Sequence, residues 1–361
     1  MNFSSLANQY ICDGPVYEPG RPIEEVAREL GLRPQSIIKL ASNENALGPS
    51  PKALAAMRKA LATAHLYPDG GGFYLRQALA RKLGVENDNL VLGTGSNEII
   101  EFLYHAFVGP GDEVIAGEKA FVIYKIMAKM FQASCVEVPF RDHTHDLNAM
   151  RSAITPKTKL VFVANPNNPS GTRVSNAELD RFIRSLPAHV ICVLDEAYIE
   201  FLDDPPPSIQ WAVKHNVVVL RTFSKIVGLA GLRIGYGVAQ KDCIALLQKV
   251  RQPFNVNAIA QAGALAALGD TAHIRKTRAM TRRGLAYLER EFKKLKLEYV
   301  PSCANFILVN VGDGDKVFHG LQQRGVIVRP MRGYKMPECV RVTVGLPEEN
   351  RKFIKALREE L

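Results

Sequence analysis

A chain of 361 residues is longer than one hydrophobic core usually organises, so a large domain with a smaller companion is expected. Hydrophobic residues make up 47% and charged residues 23%, close to globular averages, which excludes a disordered or fibrous chain. The formal charge of +10 leaves nucleic acid, a membrane surface or small anions as partners, but no apolar run nears bilayer length and no basic-then-apolar leader opens the chain, so a soluble cytoplasmic protein is expected.

The first forty-odd residues carry turn signals and one helical segment, I-E-E-V-A-R-E-L-G at 23 to 31, without a strand run. From residue 89 short apolar segments recur: N-L-V-L-G (89 to 93), D-E-V-I-A-G (112 to 117), S-C-V-E-V-P (134 to 139), K-L-V-F-V-A-N (159 to 165), H-V-I-C-V-L-D-E (189 to 196), N-V-V-V-L-R-T (216 to 222) and I-G-Y-G-V-A (234 to 239). Helical patterns between most of them predict an α/β domain with a largely parallel sheet, whose ligand site lies beyond the strand ends.

After the alanine-rich A-I-A-Q-A-G-A-L-A-A-L-G-D (258 to 270) the pattern changes. A basic stretch at 275 to 296 repeats Leu285, Leu288, Phe292 and Leu295 at helical spacing, which predicts an amphipathic helix with its charge in water. No aromatic platform or DNA-reading motif accompanies that charge, so nucleic acid is not expected as a partner. L-E-Y-V-P, N-F-I-L-V-N, G-V-I-V-R and V-R-V-T-V-G then suggest a smaller α+β unit, which the N-terminal residues join. The six cysteines form no C-x-x-C pair and fit reduced thiols, while H-T-H at 143 to 145 falls in a polar loop; metal binding has no support.

Chemistry concentrates at the strand ends. In R-T-F-S-K-I-V-G-L-A-G-L-R-I-G (221 to 235), Lys225 follows a β-run among small residues, and a desolvated lysine becomes nucleophilic. A loop lysine on the surface is the simpler reading of that residue alone. Its neighbours argue otherwise: Thr222 and Ser224 offer hydroxyls, and Arg233 offers a fork that grips phosphate. An amine beside an anion cradle suggests pyridoxal 5′-phosphate, whose aldehyde needs the one and whose phosphate needs the other.

That cofactor needs a buried carboxylate for its ring nitrogen, and Asp195 in V-I-C-V-L-D-E-A-Y fits, with helix capping as the alternative. Tyr198 is placed to donate to the ring oxygen. Asn168, in the rigid turn A-N-P-N-N-P-S-G-T (164 to 172), presents an amide for the same atom, although turn asparagines are common. In L-G-T-G-S-N-E, Gly93 and Gly95 precede Ser96 and Asn97 at a helix start, a natural phosphate seat. Phe121 in K-A-F-V-I-Y is a candidate for stacking on the ring, with core packing as the alternative.

The S-K pair with Arg eight residues on, D-E-A-Y, N-P-N-N-P-S-G and G-x-G-S-N-E, in this order, resemble the fold-type I pyridoxal-phosphate aminotransferases over residues 15 to 350. A-S-N-E-N-A-L-G-P-S-P (41 to 51), H-L-Y-P-D-G-G-G-F-Y-L-R-Q-A-L-A (65 to 80), A-N-F-I-L-V and V-R-V-T-V-G resemble the histidinol-phosphate branch. The resemblance implies a mostly parallel seven-stranded sheet flanked by helices in a large domain at 46 to 268, and a small α+β domain made of 1 to 45 and 269 to 361.

It further implies that Lys225 bonds the cofactor and moves a proton at the substrate Cα. Asp195 would pair with the ring nitrogen; Asn168 and Tyr198 would bind the ring oxygen; and Ser96, Asn97, Ser224 and Arg233 would hold the phosphate. Phe121 takes the place of an aromatic that is usually tyrosine, and Ala46 stands where proline is usual. Tyr67 would reach the phosphate across the interface of an obligate homodimer. Arg341 and Arg329 would grip the substrate phosphate in one half-reaction and the glutamate or 2-oxoglutarate carboxylate in the other, with Tyr17, Asn43 and Asn305 lining the pocket. Aromatic amino-acid transamination and threonine-phosphate decarboxylation are rival activities, and a non-catalytic regulator is a more distant one.

Overall fold

The computed structural model describes residues 2–14, 16–17 and 20–361. Strands form where β-branched and aliphatic residues run together: β1 (Leu90–Gly93), β2 (Glu113–Gly117), β3 (Ser134–Val138), β4 (Thr158–Ala164), β5 (Ile191–Asp195), β6 (Val217–Thr222) and β7 (Gly235–Val238). They make one sheet in the order β1-β7-β6-β5-β4-β2-β3. Pairing is parallel from β3 through to β6, and only β7 runs antiparallel to both its neighbours. Each expected segment of the large unit is one of these strands.

Both sheet faces are covered, as a parallel sheet requires. Side chains alternate along a strand, so Val161 and Val163 of β4 join one apolar cluster with Leu194 and Val219, while Leu160 and Phe162 join the other with Val193 and Leu220. The helices α1 (Ile23–Leu30), α2 (Ser96–Phe107), α3 (Ile123–Met130), α4 (Ala258–Leu268), α5 (Thr271–Lys294) and α6 (Pro347–Glu360) include both segments predicted to be helical, in α1 and α5. In α5, Leu288 and Phe292 are buried while Arg275 and Lys276 are exposed, which is the amphipathic division its spacing predicts. Among the described residues no helix is long and apolar enough to cross a membrane.

A second, antiparallel sheet of β8 (Tyr299–Val300), β9 (Phe306–Asn310), β10 (Arg329–Pro330) and β11 (Cys339–Thr343) has the order β8-β9-β11-β10. The expected single strand G-V-I-V-R is split. Val326 and Ile327 pair in parallel with Ile38 and Lys39, so the N-terminal segment, expected to hold no strand, supplies a short one. Ile327 also packs with Val26 of α1. The H-T-H segment differs from its polar-loop expectation too: Phe140 and Arg141 form a hairpin with Thr144 and His145 around a two-residue turn of positive φ. His145 is buried against Phe140, and burial lowers its pKa to about 4. All six cysteines are unpaired.

Under the ends of β5 and β6 lies an ion pair between Arg221 Nε and Glu196 Oε2 at 2.9 Å, with Glu196 only 1% exposed. Its residues alternate with Asp195 and Thr222, so the pair holds two strand ends together from the face opposite those side chains. Arg221→Met leaves the Glu196 charge buried without its cation and is expected to cost about 3 kcal/mol, read from urea unfolding of variant and wild type.

Candidate active site

Five strand ends converge on one cavity enclosing about 650 Å³ of space open to solvent. From the end of β1 come Gly95, Ser96 and Asn97; Phe121 and Tyr124 follow β2; Pro166 and Asn168 follow β4; Asp195 ends β5, with Tyr198 next; and Thr222, Ser224, Lys225 and Arg233 surround the β6-to-β7 connection. Crevices beyond the carboxyl ends of parallel strands are where such sheets bind ligands.

The phosphate-type cradle is built from backbone constraints. Gly95, the N-cap of α2, has φ +78° and no side chain to accept from the first-turn N–H groups. A Cβ at Gly95 would stand 2.7 Å from Arg233 Nη2, so glycine is needed for the guanidinium to reach this turn. Arg233 Nη1 donates to Ala230 O at 3.2 Å and to Ser224 Oγ at 3.4 Å. Thr222 Oγ1 accepts from Ser224 N at 3.1 Å. The buried Asn97 Oδ1 has no hydrogen-bond partner among the described residues. A helix N-terminus, a guanidinium and two hydroxyls make a seat for a phosphate that the protein's own side chains do not fill.

Lys225 Nζ donates to Ser42 O at 3.2 Å and lies 5.6 Å from the Tyr198 ring centroid. Burial, then the charges of Arg341 and Arg233, lower its pKa to about 8 against partial opposition from Glu44 and Tyr17. Relative to a free lysine, that raises the fraction of unprotonated amine at neutral pH by roughly a hundredfold or more.

Asp195 is 7% exposed, and among the described residues no lysine or arginine forms an ion pair with it. Its Oδ2 accepts from Tyr124 Oη at 2.7 Å and its Oδ1 from Ala197 N at 3.2 Å. Burial raises its pKa, and the hydrogen bonds from Tyr124 and Ala197 offset only part of that. A carboxylate in a cavity wall with donors but no cation suits a cationic ring nitrogen. With the phosphate seat and the amine, the residues present fit pyridoxal 5′-phosphate.

Asn168 and Tyr198 share the cavity, and both are tied to the smaller sheet. Asn168 Oδ1 accepts from Arg341 Nη1, which leaves the amide N–H groups of Asn168 to donate. Tyr198 Oη accepts from Asn43 Nδ2 at 2.9 Å. Arg341 also donates to Ala41 O at 2.6 Å, lies 5.3 Å from the Phe306 ring centroid, and has a buried Nε with no hydrogen-bond partner among the described residues. Arg329 stands directly across from it in the β10–β11 pairing.

The structure therefore gathers Ser96, Asn97, Phe121, Asn168, Asp195, Tyr198, Thr222, Ser224, Lys225 and Arg233 around one cavity. Other expected residues lie elsewhere. Asn43 and Asn305 are 1% and 3% exposed and do not line it; their amides bond Tyr198 Oη and the carbonyls of Asn43 and Glu44. Tyr17 is partly exposed outside the cavity. Tyr67 is 85% exposed and stacks on Phe254 with ring centroids 4.8 Å apart. Sequence reasoning passed over Tyr124, although an aromatic three positions after Phe121, just beyond a strand end, places both near one helix start.

The Asp195 charge has a consequence for stability. Its folded pKa lies above the unfolded value, so the folded state is penalised as pH rises through that window, and the penalty stands at neutral pH. Without cofactor, Asp195→Asn is expected to melt a few degrees above wild type at pH 7, with the gap closing below pH 4, where both side chains are neutral. Calorimetry at the two pH values reads the difference.

A model of class I and II aminotransferases matches residues 35–357. The chain is 50% identical to the histidinol-phosphate aminotransferase of Akkermansia muciniphila, with 100% of both chains covered. It is 51% identical to histidinol-phosphate aminotransferase 1 of Cupriavidus pinatubonensis over 96% of this chain and 94% of the other. The crystal structure of the Sinorhizobium meliloti histidinol-phosphate aminotransferase in complex with pyridoxal-5′-phosphate superposes with a TM-score of 0.90 at 28% identity, covering 99% of this chain and 97% of that one. With the seven-stranded sheet and the amine, carboxylate and phosphate seat in one cavity, these matches show that the chain belongs to the class I and II aminotransferases, in the histidinol-phosphate aminotransferase family.

Proposed function

We propose that this protein is a pyridoxal-phosphate enzyme of histidine biosynthesis that interconverts L-histidinol phosphate and 2-oxoglutarate with imidazole-acetol phosphate and L-glutamate. Identity of 50% over the full length to an enzyme of that name supports it, and the observation that carries the chemistry is the meeting of Lys225 and Asp195 in one cavity. When bound, pyridoxal 5′-phosphate supplies an aldehyde that condenses with amines and a ring that stabilises negative charge at the substrate Cα.

The residues divide the remaining work. Lys225, with its pKa near 8, takes the proton from the substrate Cα as general base and returns one as general acid. Asp195, held by Tyr124, keeps the ring nitrogen cationic. Ser96, Asn97, Thr222, Ser224 and Arg233 hold the phosphate, Tyr198 and Asn168 donate to the ring oxygen, and Phe121 stacks on the ring. Arg341 and Arg329 bind the substrate phosphate or the carboxylate of the second substrate, with Tyr17 at the margin. The bond from Arg341 to Asn168 joins substrate recognition to the cofactor seat.

The enzyme is a cytoplasmic homodimer in this reading, without nucleic acid or membrane among its partners. Leu66, Tyr67, Phe73, Tyr74 and Phe254 form an exposed apolar group suited to a second copy, whose Tyr67 completes the phosphate seat. Residues 46–268 serve as the cofactor domain and residues 1–45 with 269–361 as the smaller one.

Lys225→Ala is expected to lower kcat by about a thousandfold or more, measured with histidinol phosphate and 2-oxoglutarate. Phenylalanine and threonine phosphate, offered to the wild type in parallel, should be poorer substrates; a preference for either contradicts the substrate assignment. Mixing Lys225→Ala and Tyr67→Ala subunits at limiting cofactor should restore about a quarter of the wild-type sites, because random dimers place one intact Lys225 opposite one intact Tyr67. Activity no higher than the average of the two parents would place Tyr67 in its own subunit's site or outside any site.

A further inference from the structure

The partner of Tyr198 is the first link of a longer chain of hydrogen bonds. Asn43, which donates to Tyr198 Oη at 2.9 Å across 155 positions of sequence, holds φ at +56°, a left-handed conformation that asparagine tolerates better than most residues. Thr343 on β11 fixes it there: its Oγ1 accepts from Asn43 N at 2.9 Å and donates to Asn43 Oδ1 at 3.2 Å. Asn305 Nδ2 braces the same residue by donating to Asn43 O at 3.0 Å.

A hydroxyl carries one proton, and Thr343 gives its own to Asn43 Oδ1, which turns the nitrogen end of the amide toward Tyr198. Tyr198 Oη then receives a hydrogen bond, and its own O–H must find another acceptor. Tyr198 lines the cavity, and burial keeps its phenol protonated despite the opposing influence of Arg341 and the Asn43 bond.

We infer that Thr343 and Asn43 are positioning residues that aim the Tyr198 hydroxyl proton into the cofactor cavity, so that Asn43 serves the cofactor through Tyr198 rather than touching substrate. This rests on the reading of Tyr198 as donor to the ring oxygen. The charged and titratable groups that act on Tyr198 are Asp195, Arg341 and the Lys225 amine, with the phenols of Tyr124 and Tyr334. None of them bonds the phenolic oxygen, so the direction of its proton is set by Asn43.

A hydrogen bond donated to the ring oxygen favours its anionic form, so losing the donor raises the pH at which the bound cofactor changes its visible absorption. The test is a pH titration of that absorption in holoenzyme. Asn43→Gly, which keeps the left-handed backbone, and Thr343→Val should each raise the midpoint by about half a unit or more, Thr343→Ser should return it to wild type, and neither should add to the shift of Tyr198→Phe. Unchanged midpoints with only a lower melting temperature would reduce the pair to a structural brace and overturn the inference. A downward shift would overturn it too, by showing that the amide draws the phenol proton away from the cavity. If Tyr198→Phe itself leaves the midpoint in place, the Tyr198 assignment has failed and takes the relay with it; if only Tyr198→Phe moves it, the relay alone is wrong.

Discussion

A carboxylate buried without a basic partner is the constraint on which this structure turns. Asp195 sits at the end of a covered strand, receives hydrogen bonds from Tyr124 and Ala197, and forms no ion pair among the described residues, with the charge of Lys225 acting on it only from a distance. Such a group is costly in an isolated chain and is retained only where something cationic completes it. In the same cavity Lys225 is held by burial and by two arginines in a partly unprotonated state. One group awaits a cation and the other is ready to attack an aldehyde, and a single pyridine cofactor answers both.

The architecture follows from the need to hold those two groups apart and still. β5 and β6 are adjacent parallel strands; Asp195 ends the first and Lys225 stands three residues past the end of the second, so a hydrogen-bonded ladder and one short connection fix their relation. The Arg221–Glu196 pair closes the other face of the same strand ends. Polar bonds then join the small sheet to this frame at two points, from Arg341 to Asn168 and from Thr343 through Asn43 to Tyr198. In the function proposed, substrate recognition and cofactor chemistry share a boundary made of directional hydrogen bonds.

Much of this was legible in the sequence. Apolar β-runs ending in Gly, Asp or Thr marked the strand ends, and Asn168, Asp195, Tyr198, Ser224 and Lys225 reach the cavity because strand direction carries their segments there. What sequence could not convey was pairing over long separation. Asn43 reads as a pocket residue until its amide is seen committed to Tyr198, and Tyr124 reads as core until its hydroxyl is seen on Asp195. His145 reads as a loop residue because the two-residue hairpin turn that buries it has no glycine to announce it. Tyr67 lies exposed on its own chain, and the geometry of one chain gives it no cofactor to touch.

The most direct measurement is chemical trapping: reduce the holoenzyme with borohydride, digest it, and find by mass spectrometry which peptide carries the cofactor. The account predicts a single modified lysine, Lys225. Label on any other lysine, or none retained after reduction, would contradict it.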